Sequence, residues 1–199
     1  MAERRATISR DTRETKVSVE LNVDGTGKYE VNTGITMLDH LLSQLARHGA
    51  FDLKVSATAE MDPDGHHVTE DVAIALGKAF REALGDRKGI VRMGHALVPL
   101  DEALAMVVVD IGGRSYAVVE ADFQNEKIGD LEPDLARHFL ETLALEAQMN
   151  LHAKLLSGIN DHHKIEALFK ALARALDAAT AIDERIKGEV PSTKGIIGS

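Results

Sequence analysis

Fourteen residues set the terms for this chain: "DGHHVTEDVAIALG" at 64–77 returns as "NDHHKIEALFKALA" at 160–173, a spacing of 96 residues. Each copy opens with a helix-capping residue type, followed by His-His and then Glu at the fourth place after the first His. A period of 96 is too long for a solenoid repeat, and points to duplication of a small module.

The segments around the copies share one grammar. In the first half "VSVELNV" (17–23) alternates apolar and polar, the mark of a half-buried strand. "DGTG" (24–27) reads as a turn and "KYEVN" (28–32) as its hairpin partner. "ITMLDHLLSQLARHG" (35–49) has leucines at helical spacing and ends at Gly49. "FDLKVSATA" (51–59) alternates again, and the cassette opens a helix reaching about Leu84. The second half repeats the order: strands at 103–111 and 115–123, a helix at 131–148 with Pro133 in its first turn, a strand at 150–158, then the second cassette helix. The join falls near "GDRKGIVRMG" (85–94). The expected fold is α+β, a single domain of pseudo-repeat halves, about 1–90 and 91–199. Each half is a four-stranded mixed sheet with two helices on one face, and the halves pack helix to helix.

Composition narrows the function. A net charge of −9 argues against general nucleic-acid binding, which needs cations to neutralise phosphates. With no cysteine there is neither disulfide nor thiolate metal site, as suits a reducing cytoplasm. No apolar run is long enough to cross a membrane, and the charged N-terminus has no secretory h-region. Nine histidines remain to be explained.

On a helix, i and i+4 share a face while i+1 is turned by about 100°. His66 and Glu70 therefore form one clip and His162 and Glu166 another; His67 and His163 are free for a different ion. Lys164 is turned away from its clip. Asp64 and Asn160 are the expected N-caps. The positive end of the helix dipole there disfavours imidazolium, and neutral imidazole is the metal-binding form. Each half has one more His on the preceding helix, His40 and His138. Pseudo-symmetry groups His40, His67, His162 and Glu166 at one ion, and His138, His163, His66 and Glu70 at the other. Three His and one Glu suit Zn²⁺, Fe²⁺, Mn²⁺, Co²⁺ or Ni²⁺. An octahedral ion would keep two positions open, as catalysis requires. The spacing leaves open whether each group forms within a chain or across subunits.

Other polar residues carry weaker signals. Gln44 and His48 continue the His40 stripe; Arg92 and Arg114 flank strands; "VPSTKGIIGS" (190–199) offers Ser192 and Lys194 to an anion; Glu14 stands just before a strand. His95 and His152 have no matched partner and read as structural.

"LDHLLSQLARHGAFDL", "DGHHVTEDVAIALG", "HALVPLDEALA", "DIGGRSY", "SGINDHHKIEALFKALARAL" and "VPSTKG" together resemble the monofunctional imidazoleglycerol-phosphate dehydratases of histidine biosynthesis, over nearly the whole chain. The resemblance implies two Mn²⁺ per active site held by the eight donors. It implies a homo-oligomer of 24 subunits built from trimers, with sites at subunit interfaces, and a cytoplasmic enzyme. It implies dehydration of D-erythro-imidazole-glycerol phosphate to imidazole acetol phosphate through a metal-bound imidazolate. Glu14 is then the proton-transfer candidate beside the catalytic clips His66, Glu70, His162 and Glu166. Arg92, Arg114, Ser192 and Lys194 meet the phosphate; Gln44 and His48 line the pocket. The residues alone also allow a dinuclear hydrolase of phosphoesters, or a non-catalytic assembly glued by metal.

Overall fold

The computed structural model describes residues 3–197, so the last two residues of the 190–199 tail lie outside it. The first half runs β1 (Arg5–Asp11), β2 (Thr15–Asn22), β3 (Tyr29–Asn32), α1 (Thr36–His48), β4 (Asp52–Ala59) and α2 (His66–Leu84). The second runs β5 (Met93–Leu100), β6 (Ala103–Asp110), β7 (Tyr116–Glu120), α3 (Pro133–Ala147), β8 (Asn150–Ser157) and α4 (Asp161–Thr180). Two mixed four-stranded sheets result, of order β1-β2-β4-β3 and β5-β6-β8-β7.

One pairing differs from expectation. Residues 28–32 do not return as a hairpin on β2, because β1 and β4 occupy both edges of β2. Asp52 Oδ1 accepts from the backbone of Thr26 (2.8 Å) and Lys28 (3.0 Å), which draws the turn to the start of β4. β3 then runs parallel to β4, with α1 as the crossover. β7 and β8 repeat this arrangement around α3. The edge strands β1 and β5 have no counterpart in the sequence reading. Only Ala6 and Ile8 mark an inward face on β1. On β5, Pro99 is tolerated because an edge strand has one side with no ladder to feed.

The helices lie between the sheets. α2 covers β1 and β2, and α4 covers β5 and β6. The helices then pair across the halves, α1 with α4 and α2 with α3. Both pairs run parallel: His40 faces Glu166 at one end, and the His48 carbonyl accepts from Arg174 further along. Gly77 on α2 lies so close to α3 that a β-carbon there would strike Glu146 and the Leu143 carbonyl. That close approach brings His138 over Glu70. Phe51 meets Phe80 edge-on, with centroids 5.3 Å apart, and Phe139 meets Phe169 at 5.7 Å, all four buried.

The outward faces of the sheets differ. Register aligns Thr7, Glu20, Lys54 and Glu30 across the first sheet, and His95, Val108, His152 and Val118 across the second. His95 and His152 are thus exposed residues either side of Val108. Among the described residues no helix is long and apolar enough to cross a membrane.

Candidate metal centres

The first turn of α4 is fixed by its cap. Asn160 has extended backbone, and its side-chain oxygen accepts from the amides of His162 (2.9 Å) and His163 (3.4 Å). His162 Nε2 lies 3.2 Å from Glu166 Oε2, and His40 Nε2, arriving from α1, lies 3.0 Å from the same oxygen. The three ligand atoms lie within 4.8 Å of one another. Glu166 is buried, and its other oxygen meets Lys170 Nζ at 2.6 Å. Burial pushes its carboxyl up, but Lys170 and His40 pull it further down, to about 2.

The α2 group is built differently. Its N-cap is Gly65 in the left-handed region (φ 76°), not Asp64, and no side chain at the cap position bonds the helix. Asp62 caps from upstream, accepting from His67 N (3.1 Å) and Val68 N (2.9 Å), while Asp64 takes only His66 N. Gly supplies the positive φ that lets both carboxylates fold back on the turn. His138 Nε2 lies 3.3 Å from Glu70 Oε1, with the His66 ring stacked on it at 5.3 Å, and this trio too falls within 4.8 Å.

Three of the four donors expected at each ion therefore meet within one chain, and each trio draws on both halves. His67 and His163 do not join them. His67 Nε2 faces Glu14 at 3.8 Å, and its Nδ1 lies 3.5 Å from Asp62. His163 Nδ1 is 2.8 Å from Glu102 Oε2. Glu102 was not singled out from sequence. The available signal was its place in the β5–β6 turn, immediately before Ala103, as Glu14 immediately precedes Thr15 in the β1–β2 turn. The bond to His163, then the Asn160 and Ile159 amides, hold the Glu102 carboxyl down at about 2, and Glu102 raises the His163 pKa in return.

Glu14 sits in a braced turn. Its amide donates to Thr12 Oγ1 (3.2 Å), and Thr15 Oγ1 donates to Asp71 of α2, which also takes Arg10 Nε at 2.6 Å. The hairpin is thus tied to the helix one residue past Glu70. Lys164 does face away from its clip, but it is buried, with Nζ 2.9 Å from Asp161 and 3.1 Å from the Asp122 carbonyl. It forms a buried ion pair with Asp161.

Arg92, Arg114, Ser192 and Lys194 do come together, around a cleft of about 760 Å³. Arg92, with φ 75°, sends Nε and Nη2 to Asp110 at 2.7 and 3.0 Å, and Nη1 to the Pro191 carbonyl at 2.8 Å. Gln44 bonds His48 at 2.9 Å on α1; burial first, then Lys170, lowers the His48 pKa.

The cleft is remote from the donor trios. The Arg92 amide donates to the Ala179 carbonyl, thirteen residues along α4 from Glu166, or about 20 Å at a rise of about 1.5 Å per residue. β6 agrees: Asp110, which holds Arg92, ends the strand that Glu102, at His163, immediately precedes. One small ligand cannot touch both places in the same chain.

Residues 33–176 match the family described as Imidazoleglycerol-phosphate dehydratase. The chain is 57% identical over 197 residues to the imidazoleglycerol-phosphate dehydratase of Dehalococcoides mccartyi, covering 99% of each chain. It is 53% identical over 192 residues to that of Methanothermobacter thermautotrophicus, covering 96% of this chain and 97% of the relative. The Pyrococcus furiosus structure in complex with (S)-C348 superposes with a TM-score of 0.82 at 37% identity, covering 96% of this chain and 100% of that one. The Staphylococcus aureus structure gives 0.81 at 34% identity, covering 90% and 99%.

Proposed function

The chain belongs to the imidazoleglycerol-phosphate dehydratase family, and we propose that it works through two metal ions shared between subunits. It is a hydro-lyase acting on imidazoleglycerol phosphate in histidine biosynthesis. The finer reading is D-erythro-imidazole-glycerol phosphate as substrate and imidazole acetol phosphate as product, with Mn²⁺ as the ion, two per active site, in the cytoplasm. The whole chain, halves about 1–90 and 91–199, is read as one dehydratase domain.

The carrying observation is the convergence of two His-His-Glu trios, each from both halves. The donor chemistry fits a divalent ion: imidazole nitrogens and one carboxylate each, with the ligand atoms of each trio within 4.8 Å of one another. His40, His162 and Glu166 would hold one ion and His66, Glu70 and His138 the other. His67 and His163, outside their own chain's trios, would complete sites on neighbouring copies. Held there, the ions would acidify the imidazole of the substrate, making the ring the electron source for loss of the hydroxyl in a carbon chain that has no carbonyl to stabilise a carbanion.

The remaining steps fall to side chains. Arg92, Arg114, Ser192 and Lys194 bind the phosphate, Lys as a point charge and Arg92 with its guanidinium already oriented by Asp110 and the Pro191 carbonyl. Gln44 and His48 line the pocket beside His40. Glu14, braced by Thr12 and Asp71, moves the proton at the carbon beside the departing hydroxyl. A cleft about 20 Å from Glu166 of its own chain favours a site assembled from several copies. So does the second sheet's outer face, where Met93 and Tyr116 stand 59% and 65% exposed. The assembly proposed is the 24-mer of trimers.

The test is incubation with the imidazole-glycerol phosphate and Mn²⁺, reading the ketone by its enolate absorbance in alkali. Release of inorganic phosphate instead would make the protein a hydrolase. Chelation should break the particle down, and Mn²⁺ should rebuild it, by light scattering. An unchanged size after complete metal removal would rule out bridging ions.

A further inference from the structure

Glu14 and Glu102 hold the same place in the two modules, each the last residue of the first hairpin turn. Each reaches the second histidine of its own cassette, but from opposite sides of the ring. Glu14 faces His67 at Nε2, whereas Glu102 faces His163 at Nδ1.

The contacts of Glu102 are spoken for on both oxygens. Oε1 accepts from the amides of Ile159 (3.0 Å) and Asn160 (2.8 Å), which fixes the loop leading into α4. Oε2 lies 2.8 Å from His163 Nδ1. An ionised carboxylate only accepts, so the ring proton must sit on Nδ1. Nε2 is then left with its lone pair, facing outward toward Asp101 at 3.8 Å. In the first module no hydrogen bond is made at Nδ1, where Asp62 lies 3.5 Å away, and the hairpin glutamate faces the other ring nitrogen at 3.8 Å.

We infer that Glu102 is a positioning residue: it sets the orientation and tautomer of His163 so that Nε2 is presented to a metal ion, while its module mate Glu14 stays available for proton transfer. Duplication thus produced two hairpin glutamates, one committed to a ligand and one to the substrate. The inference rests on the reading of His163 as a metal ligand. A carboxylate or carbonyl behind a ligating imidazole is usually worth 10–100-fold in metal affinity.

Glu102→Gln tests it. Two backbone amides claim the one carbonyl oxygen of the new side chain, so its NH₂ turns to Nδ1. His163 must then accept there and carry its proton on Nε2, the nitrogen an ion needs. The experiment measures Mn²⁺ retained by the full-length, metal-loaded protein against graded chelator, with thermal midpoints alongside. Glu102→Gln should release one of two ions at 10–100-fold lower chelator activity, with its midpoint close to wild type. Asn160→Ala uncaps the first turn of α4 while leaving Glu102 on Nδ1, and should retain metal better. Equal metal loss in both variants would reduce Glu102 to a loop anchor and overturn the inference. Wild-type retention in Glu102→Gln, alongside loss of one ion in His163→Ala, would overturn it while leaving His163 a ligand. Full retention in His163→Ala would remove both the ligand reading and this inference.

Discussion

The two donor trios are chemically alike and physically unlike. In the α4 group the Glu166 side chain is only 11% exposed, pinned between His40, His162 and Lys170. In the α2 group the Glu70 side chain is 38% exposed, and the residue one turn on, where Lys170 stands in the other copy, is Ile74. One group is set in place by packing and a counter-charge; the other is open to whatever docks on it. The hairpin glutamates divide in the same way, Glu102 bonded through both oxygens while Glu14 comes no nearer to His67 than 3.8 Å. Repetition therefore kept the candidate donors and let their supports diverge.

The hardest test removes one clip at a time. Glu70→Gln and Glu166→Gln should each retain about half the metal, by elemental analysis, while turnover falls at least about 100-fold in both. Glu166→Gln should also lower the melting temperature, since it strands Lys170; Glu70→Gln should not. Full metal and full turnover in both would leave the cassettes as relics of duplication.

A second difference lies beneath the ligands. Asp161 and Lys164 form a buried pair under the second cassette, where the first has Gly65 and Val68. Lys164→Met should cost about 3 kcal/mol in denaturant unfolding, because a buried charge loses its partner. A change under about 0.5 kcal/mol would mean the pair contributes nothing beyond its replacement.

The two ends of the molecule should separate binding from chemistry. Lys194→Ala, in the cleft remote from both trios, should raise KM about 10-fold, with kcat and metal content near wild type. Loss of metal would contradict that separation.

The smallest expected effect concerns how the halves brace each other. Asp130, in the second half, caps α1 of the first, accepting from Thr36 N (2.7 Å) and Met37 N (2.8 Å). Among the described residues α3 shows no such cap, and its N-cap residue Glu132 makes no side-chain bond to the helix. Burial raises the Asp130 pKa, but the two amides lower it further, so it ends below the usual value. A carboxyl depressed on folding contributes stability that is present above its unfolded pKa of about 3.9 and is lost as pH falls through the lower folded value. Asp130→Ala should cost about 1 kcal/mol at pH 7, with a gap from wild type that closes below about pH 4 in thermal melts. A gap that persists at pH 2 would mean the carboxylate charge is not what holds α1.

What could be read from the chain was local. Alternation along β2 and leucine spacing along α1 report which face is buried, and Asn160 and Pro133 mark helix starts, all within a few residues. β1 was missed because Ala6 and Ile8 are too few to stand out from a surface segment, and β5 because its apolar residues fall on both faces, with Leu97 exposed between the core-facing Ala96 and Val98. Asp64 misled because Asx residues upstream of a helix are interchangeable in sequence, whereas a left-handed Gly65 hands the cap to Asp62.

By itself, then, the sequence determined the two modules, the helices that carry the histidines and the eight candidate donors, since helical periodicity decides which side chains share a face. Only the tertiary structure decided that β3 and β7 add in parallel to the far strand, because that depends on which sheet edges are already taken. It alone decided that helices exchange partners across the halves, that His67 and His163 turn out of their own trios, and that Glu102 stands behind a ring. Each of these depends on which distant surfaces meet, and the same pattern of apolar residues is compatible with more than one such meeting until the whole chain is packed.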